Sequence, residues 1–155
     1  MITICVTTYN RVESTIESFI NALDHDLVSE VIILDDASEE YNFKNLKYAI
    51  DELNNDKIYF SRNEKNLGAF LNKLECVKKA SNDWVVLLDS DNTIDRSYID
   101  NIPDDKKESC FYLPVIASCA SSNLNYSIYS GKTFYKYDFK RLLNSSNAKD
   151  QCLVN

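Results

Sequence analysis

Two aspartates, Asp89 and Asp91, stand two residues apart directly after the apolar run Val85-Val86-Leu87-Leu88. Carboxylates placed where a chain leaves a sheet can reach a crevice without burying bare charge. Hard divalent cations favour such oxygen ligands and keep open positions for waters and substrate phosphates. An acidic turn that caps the next helix, with Asn92 or Thr93 at the cap, accounts for the same residues equally well. A second acidic pair, Asp35-Asp36, follows Ile32-Ile33-Leu34 and precedes Ala37-Ser38. A carboxylate there can accept from a base N–H of a nucleotide; the plainer account is again a helix cap. Thr7-Thr8-Tyr9-Asn10-Arg11 follows the first apolar run, and Tyr9 can border a nucleobase or simply lie on the surface. Asn63-Glu64-Lys65-Asn66-Leu67-Gly68 carries one of only two glycines where a helix should begin, a hint of close backbone approach to a ligand. The segment lacks the glycines of a P-loop or a dinucleotide fingerprint.

All four segments follow short apolar runs. Ile2–Val6 and Val31–Leu34 read as buried strands, Ile58–Phe60 as a third, shorter strand, Trp84–Leu88 as a fourth and Phe111–Ile116 as a fifth. Between them, Val12, Ile16, Phe19, Ile20 and Leu23 recur at helical spacing, as do Phe43, Leu46, Ile50 and Leu53, and then Leu67, Phe70, Leu71, Leu74 and Val77. Asn10, with Glu13 three residues on, predicts a capped start for the first helix. Strands apolar along their whole length and separated by helices imply an α/β fold whose mainly parallel sheet is covered on both faces. Ligands of such sheets bind beyond the carboxyl ends of the strands, which is where the four segments fall. After Ile116 the pattern loosens. Residues 118–130, rich in Ser and Asn, predict a loop, residues 126–137 a tyrosine-rich hairpin around Gly131, and 138–143 a short helix.

Composition narrows the function classes. The 155 residues suit one domain with a core of its own. A net charge of −7 and the lack of any dense basic stretch argue against nucleic-acid binding. Five cysteines with no Cys-x-x-Cys pair suggest neither a zinc site nor a closed disulfide set, and point to a reducing compartment. The N-terminus lacks the pattern of a signal peptide, and no apolar stretch is long enough to span a membrane. The expected location is cytoplasmic, with peripheral attachment to a membrane open. His25, in Asp24-His25-Asp26, is expected to face solvent at a helix end.

Taken together, the four segments resemble the family-2 glycosyltransferases of GT-A fold, over about residues 2–100. Thr7-Thr8-Tyr9-Asn10-Arg11 resembles that family's opening. Val31–Ser38 resembles its strand with Asp-Asp-x-Ser, Asn66-Leu67-Gly68 with Asn72 its third helix start, and Asp89-Ser90-Asp91 its Asp-x-Asp metal motif. The resemblance implies a three-layer α/β/α fold. Residues 1–155 would be one GT-A-like domain, C-terminally incomplete, with a nucleotide-binding half at 1–100 and a partial acceptor side at 101–155. It further implies that Thr7 and Tyr9 border the base, that Asp36 binds it, and that Gly68, Asn72 and Ser90 line the donor site. Asp89 would contact the ribose or metal region, and Asp91 would coordinate Mn²⁺ or Mg²⁺. The donor would be a UDP-sugar and the acceptor a saccharide, lipid or protein hydroxyl, with inversion at the anomeric carbon. Leu71 and Asn92 depart from residues frequent in the family. The catalytic base has no recognisable motif; Asp138 and Asp150 are the available carboxylates. Two rival readings use the same residues. One is a non-catalytic or truncated nucleotide-sugar-binding module. The other is a haloacid-dehalogenase-like phosphatase with Asp89 as nucleophile and Asp91 as general acid/base, whose motif normally ends the first strand rather than the fourth.

Overall fold

A computed structural model describes residues 1–105, 116–119 and 122–125 of the chain. Eight elements alternate: β1 (Ile2–Thr8), α1 (Glu13–Phe19) running into a 3-10 turn (Ile20–Ala22), β2 (Val28–Asp35), α2 (Glu40–Leu53), β3 (Ile58–Arg62), α3 (Ala69–Lys78), β4 (Val85–Asp89) and α4 (Arg96–Asp100). The strands form one parallel sheet in the order β3-β2-β1-β4. The chain moves outward from β1 to β3, then returns to place β4 on the other side of β1. This reversal, together with right-handed crossovers, puts α1 and α2 on one face and α3 on the other. The expected three-layer α/β/α architecture is therefore present.

All seven residues of β1 are buried, as a central strand covered on both faces requires. Ile2, Ile4 and Val6 face the larger core with Phe19, Ala22, Leu46, Ile50 and Ile99. Cys5 joins Ile32, Leu34 and Cys76 in a smaller core beneath α3. The two thiols are free, and Cys76 lies against the carbonyls of Val6 and Ile32. The hydrogen bond between the thiols' residues, then burial, pushes the Cys5 thiol far above its ordinary range.

The amino edge of the sheet carries a buried polar knot. Thr3 is fully buried, and its Oγ1 donates to Glu30 at 2.6 Å across the β1–β2 register. Ser81 donates to the same carboxylate oxygen from both its N–H and its hydroxyl. Burial raises the Glu30 pKa, but the bonds from Thr3 and Ser81 outweigh it and hold the carboxyl below the usual range.

Four expectations need correction. Asn10 does not cap α1, whose cap position is Val12; the Asn10 side chain instead accepts from the Glu39 N–H at the start of α2. The α3 periodicity is right but the face is not. Phe70, Leu71 and Leu74 are exposed, and Asn72 and Cys76 are the residues that α3 buries. His25 is buried rather than solvated. Its Nδ1 accepts from Leu27 N–H, so Nε2 carries the proton shared with Asp100 on α4. Within residues 118–130, expected to be a loop, the end of β5 (Ile116–Cys119) and all of β6 (Ser122–Asn125) pair antiparallel, β5 beginning at the last residue of the expected fifth strand. Residues 111–115, the tyrosine-rich hairpin and the short helix at 138–143 lie outside the described residues. The chain divides into two compact units, Met1–Pro103 and Asp104–Asn155, with the β5–β6 pair in the second. Among the described residues no helix is long and apolar enough to cross a membrane.

The Glu30 knot makes a stability prediction. Glu30→Gln should destabilise the fold by about 1–3 kcal/mol at neutral pH, because a charge-assisted set of bonds is lost. The folded pKa is depressed, so this contribution is present above the ordinary value of 4.5 and is lost as pH falls through the folded pKa. Urea denaturation of both proteins at neutral and acid pH should show the difference shrinking at low pH; a constant difference would contradict the assignment.

Candidate functional site

Parallel pairing brings Thr8, Asp35, Arg62 and Asp89 to the same edge of the sheet. The strand order reverses between β1 and β4, and such a switch point is where a crevice opens beyond the strand ends. Two backbone bonds fix the loops there. The N–H of Ser90 donates to the Thr7 carbonyl at 3.2 Å, and the N–H of Asp36 to the Thr8 carbonyl at 2.9 Å. Successive carbonyls of β1 thus hold one acidic segment on each side.

On the β4 side, Thr7 Oγ1 donates to Asp89 Oδ1 at 3.3 Å, and Lys73 of α3 reaches Asp89 Oδ2 at 2.9 Å. Arg11 pairs with Asp91 at 3.1 Å, and its other amino group points to Ser90 Oγ at 3.5 Å. Ser90 is fully buried, whereas the side chains of Asp89 and Asp91 are 39% and 54% exposed. Thr7, Asp89, Ser90 and Asp91 therefore come together. Arg11 and Lys73 complete the group, and motif spacing alone does not assign them. Arg11 sits inside the Thr7–Arg11 segment; Lys73 follows Asn72 by one residue, the only sequence signal it gives. The turn caps itself differently from the simple alternative. Asp95, not Asn92 or Thr93, caps α4 by accepting from Ser97 N–H, and those Ser97 bonds hold the Asp95 carboxyl below its usual range.

On the β2 side, the acidic pair divides its work. Asp35 is fully buried; it accepts from the Ser38 N–H and hydroxyl and meets Arg62 at 3.3 Å. Asp36, also buried, accepts from Asn63 and from the backbone N–H groups of Leu67 and Gly68, each at 2.9 Å. Asn63 donates to Asn72 as well, and Asn72 donates to the Leu34 carbonyl. Asp36, Gly68 and Asn72 are thus brought together as one network that shapes the start of α3. Gly68 has φ +80, and a Cβ there would meet nothing within 4 Å. The need for glycine is torsional, not a matter of crowding. Tyr9 stands apart, about half exposed, beside Asn10, whose φ of 55 is left-handed. The Asn10 N–H is held by Ser38 Oγ at 2.7 Å, which ties the loop after β1 to the loop after β2. Asp138 and Asp150 lie outside the described residues.

The two exposed carboxylates after β4 form a donor set that suits a hard divalent cation. Among the described residues no three His, Cys, Asp or Glu side chains gather closely enough to hold a metal by themselves. A cation here would therefore depend on oxygens from a substrate and from water, the usual habit of Mg²⁺ at phosphate sites.

Comparison with known proteins bears on this arrangement. The glycosyl transferase family 2 model matches residues 3–152. The chain belongs to that family. An uncharacterized glycosyltransferase of Mycoplasma genitalium is 32% identical over 102 residues, covering 63% of this chain and 34% of the relative. An inactive polypeptide N-acetylgalactosaminyltransferase-like protein of mouse is 30% identical over 95 residues, covering 59% of this chain and 21% of the relative. The fold matches a Pyrobaculum calidifontis mannosyltransferase in complex with GDP-Man and Mn²⁺, at TM-score 0.56, 20% identity, and 64% of this chain against 30% of that one. It also matches S. aureus TarS 1-349 in complex with UDP-GlcNAc, at TM-score 0.52, 23% identity, and 64% against 29%. The chain spans about a third or less of the length of these similar proteins.

The Asp36 network can be tested apart from any ligand. Asp36→Ala leaves the Leu67 N–H without its acceptor and the Gly68 N–H with only Asn66 Oδ1, and should cost about 1–3 kcal/mol in stability. A residue whose whole role is to contact a ligand would leave ligand-free stability unchanged in urea denaturation.

Proposed function

We propose that this family-2 chain carries the donor-binding half of a glycosyltransferase that takes its sugar from a nucleoside diphosphate sugar. The observation that carries the reading is the gathering of Thr7, Asp89, Ser90 and Asp91 at the β1–β4 switch point, beside the Asp36 network. Residues 1–100 form the nucleotide-binding half and the residues after them contribute to the acceptor side. Thr7 and Tyr9 border the base. Asp36 keeps acceptor capacity beyond its three protein donors, since an ionised carboxylate offers about four lone-pair sites. An acceptor-only group that meets the ring nitrogen favours a base with an N–H at that position. Uracil and guanine have one; cytosine and adenine present a bare nitrogen there, with an exocyclic amine beside it. A uridine donor is the preferred assignment. Asn72, with both ends of its amide engaged, positions the Gly68 turn that faces the donor.

Asp91, with Asp89, would hold Mn²⁺ or Mg²⁺. Such an ion would supply Lewis-acid stabilisation to the departing nucleoside diphosphate. The remaining work falls to the protein. Asp89 is oriented toward the donor by the Thr7 hydroxyl. Transfer to an acceptor hydroxyl with inversion requires a carboxylate base, for which Asp138 and Asp150 stand as candidates. A cytoplasmic location fits the free thiols of Cys5 and Cys76. The mouse relative described as inactive favours one second reading, a chain that binds nucleotide sugar without turnover.

Calorimetric titration with UDP, GDP, CDP and ADP, with and without Mn²⁺, tests the donor reading. UDP should bind best, CDP and ADP weakest, and chelator should weaken UDP binding. Asp91→Asn should remove the Mn²⁺-dependent part and leave the fold intact by circular dichroism. Indifference to chelator, or equal affinity for all four nucleotides, would count against the reading. Acceptor-dependent release of nucleotide diphosphate would then separate transferase from non-catalytic binder.

A further inference from the structure

Each carboxylate of the β4 turn is paired with a basic side chain from a different element. Lys73 comes from α3 on one face of the sheet and meets Asp89 at 2.9 Å. Arg11 comes from the loop after β1 and meets Asp91 at 3.1 Å. Two negative and two positive charges cancel there, so the β4 turn has no net charge of its own with which to draw a divalent cation. A lone cation meets like charge from Lys73 and Arg11 as it approaches the carboxylates, and a lone diphosphate meets like charge from Asp89 and Asp91. Brought together, the cation takes the carboxylates while the freed basic groups face the phosphates. Arginine and lysine both suit that exchange: the guanidinium fork matches phosphate oxygens, and the ammonium acts as a mobile point charge. Neither residue is locked by burial, since the Lys73 side chain is 29% and the Arg11 side chain 47% exposed.

We propose that Lys73 and Arg11 couple cation binding to diphosphate binding, by competing with the cation for Asp89 and Asp91 and then serving as the donor's phosphate-binding residues. The inference rests on the reading of the crevice as a donor site. Coupling of this kind is reciprocal: whatever factor the diphosphate adds to cation affinity, the cation adds to diphosphate affinity. The sign of the effect separates this role from a structural one. Removing a competitor strengthens binding of the cation alone, while removing a phosphate ligand weakens binding of the nucleotide alone. A side chain that merely props up the crevice would weaken both.

The test measures Mn²⁺ affinity without nucleotide, UDP affinity without metal, and each in the presence of the other, by titration calorimetry and manganese electron paramagnetic resonance. Lys73→Met should tighten free Mn²⁺ binding and weaken metal-free UDP binding, each by about tenfold for one partly screened charge. Arg11→Met should do the same, and Lys73→Arg should stay close to the unmutated protein. Opposite shifts in the two affinities would establish the coupling role. Mn²⁺ binding that is unchanged or weaker in the folded variants would overturn it. Should Lys73→Met fail to fold, the more exposed Arg11→Met decides the question. If the unmutated protein binds neither UDP nor GDP, with or without Mn²⁺, the donor reading itself falls; nucleotide binding with no opposite shifts removes the coupling role alone.

Discussion

The arrangement of this crevice depends on the last two carbonyls of β1. In a parallel sheet successive carbonyls of a central strand point to opposite neighbours, so Thr7 and Thr8 can each receive a backbone N–H from a different side. Ser90 uses one and Asp36 the other. Both acidic segments are thereby fixed against a strand with every residue buried, the least yielding part of the fold. The side chains that touch the crevice can then be exposed and charged without losing their positions. Thr7 adds a hydroxyl to Asp89, and Asn10 adds a bridge through Ser38, but these refine a geometry that the backbone has already set.

Different kinds of polar group carry the two flanks. The β2 flank is buried: Asp35 serves its own turn and Arg62, and Asp36 serves the start of α3. Arg62 in turn lies 4.4 Å over the Phe43 ring and pairs with Glu40, whose carboxyl it holds below the usual range together with Lys44. That flank behaves as scaffold, with Asp36 retaining a share of its acceptor capacity. The β4 flank is half-exposed and made of ion pairs that solvent and ligands can exchange. A firm side that recognises and a labile side that responds would suit the proposed donor, which carries both an aromatic base and a highly charged diphosphate.

Much of this was legible in the residues themselves. Apolar runs such as Ile2–Val6 and Val31–Leu34 are readable because a central parallel strand is buried on both faces. The acidic pairs were legible because they interrupt those runs at one end. What spacing could not show was direction. Leu67, Phe70, Leu71, Leu74 and Val77 mark α3 as a helix, yet the sheet beneath it selects Cys76, a small residue, and Asn72, a hydrogen-bonded one, because α3 packs closely over β1. Asn10 reads as a cap for the helix that follows it in sequence, whereas it reaches the next helix in space. His25 is flanked by acids and reads as solvated, but its two ring nitrogens find a backbone N–H and Asp100, which permits burial. Lys73 and Arg11 were not assigned for the same reason: an ion pair between elements leaves no mark on local periodicity.

The buried thiol of Cys76 offers a clock for this crevice. It sits at the contact between α3 and the sheet, against the carbonyls of Val6 and Ile32, and its neighbour Cys5 is held far from the reactive thiolate form. An alkylating reagent can reach either sulfur only when α3 lifts, and the same helix carries Asn72 and Lys73. The rate at which peptides bearing Cys5 or Cys76 gain an alkyl group therefore reports how often the α3 side of the crevice comes apart, with no nucleotide present.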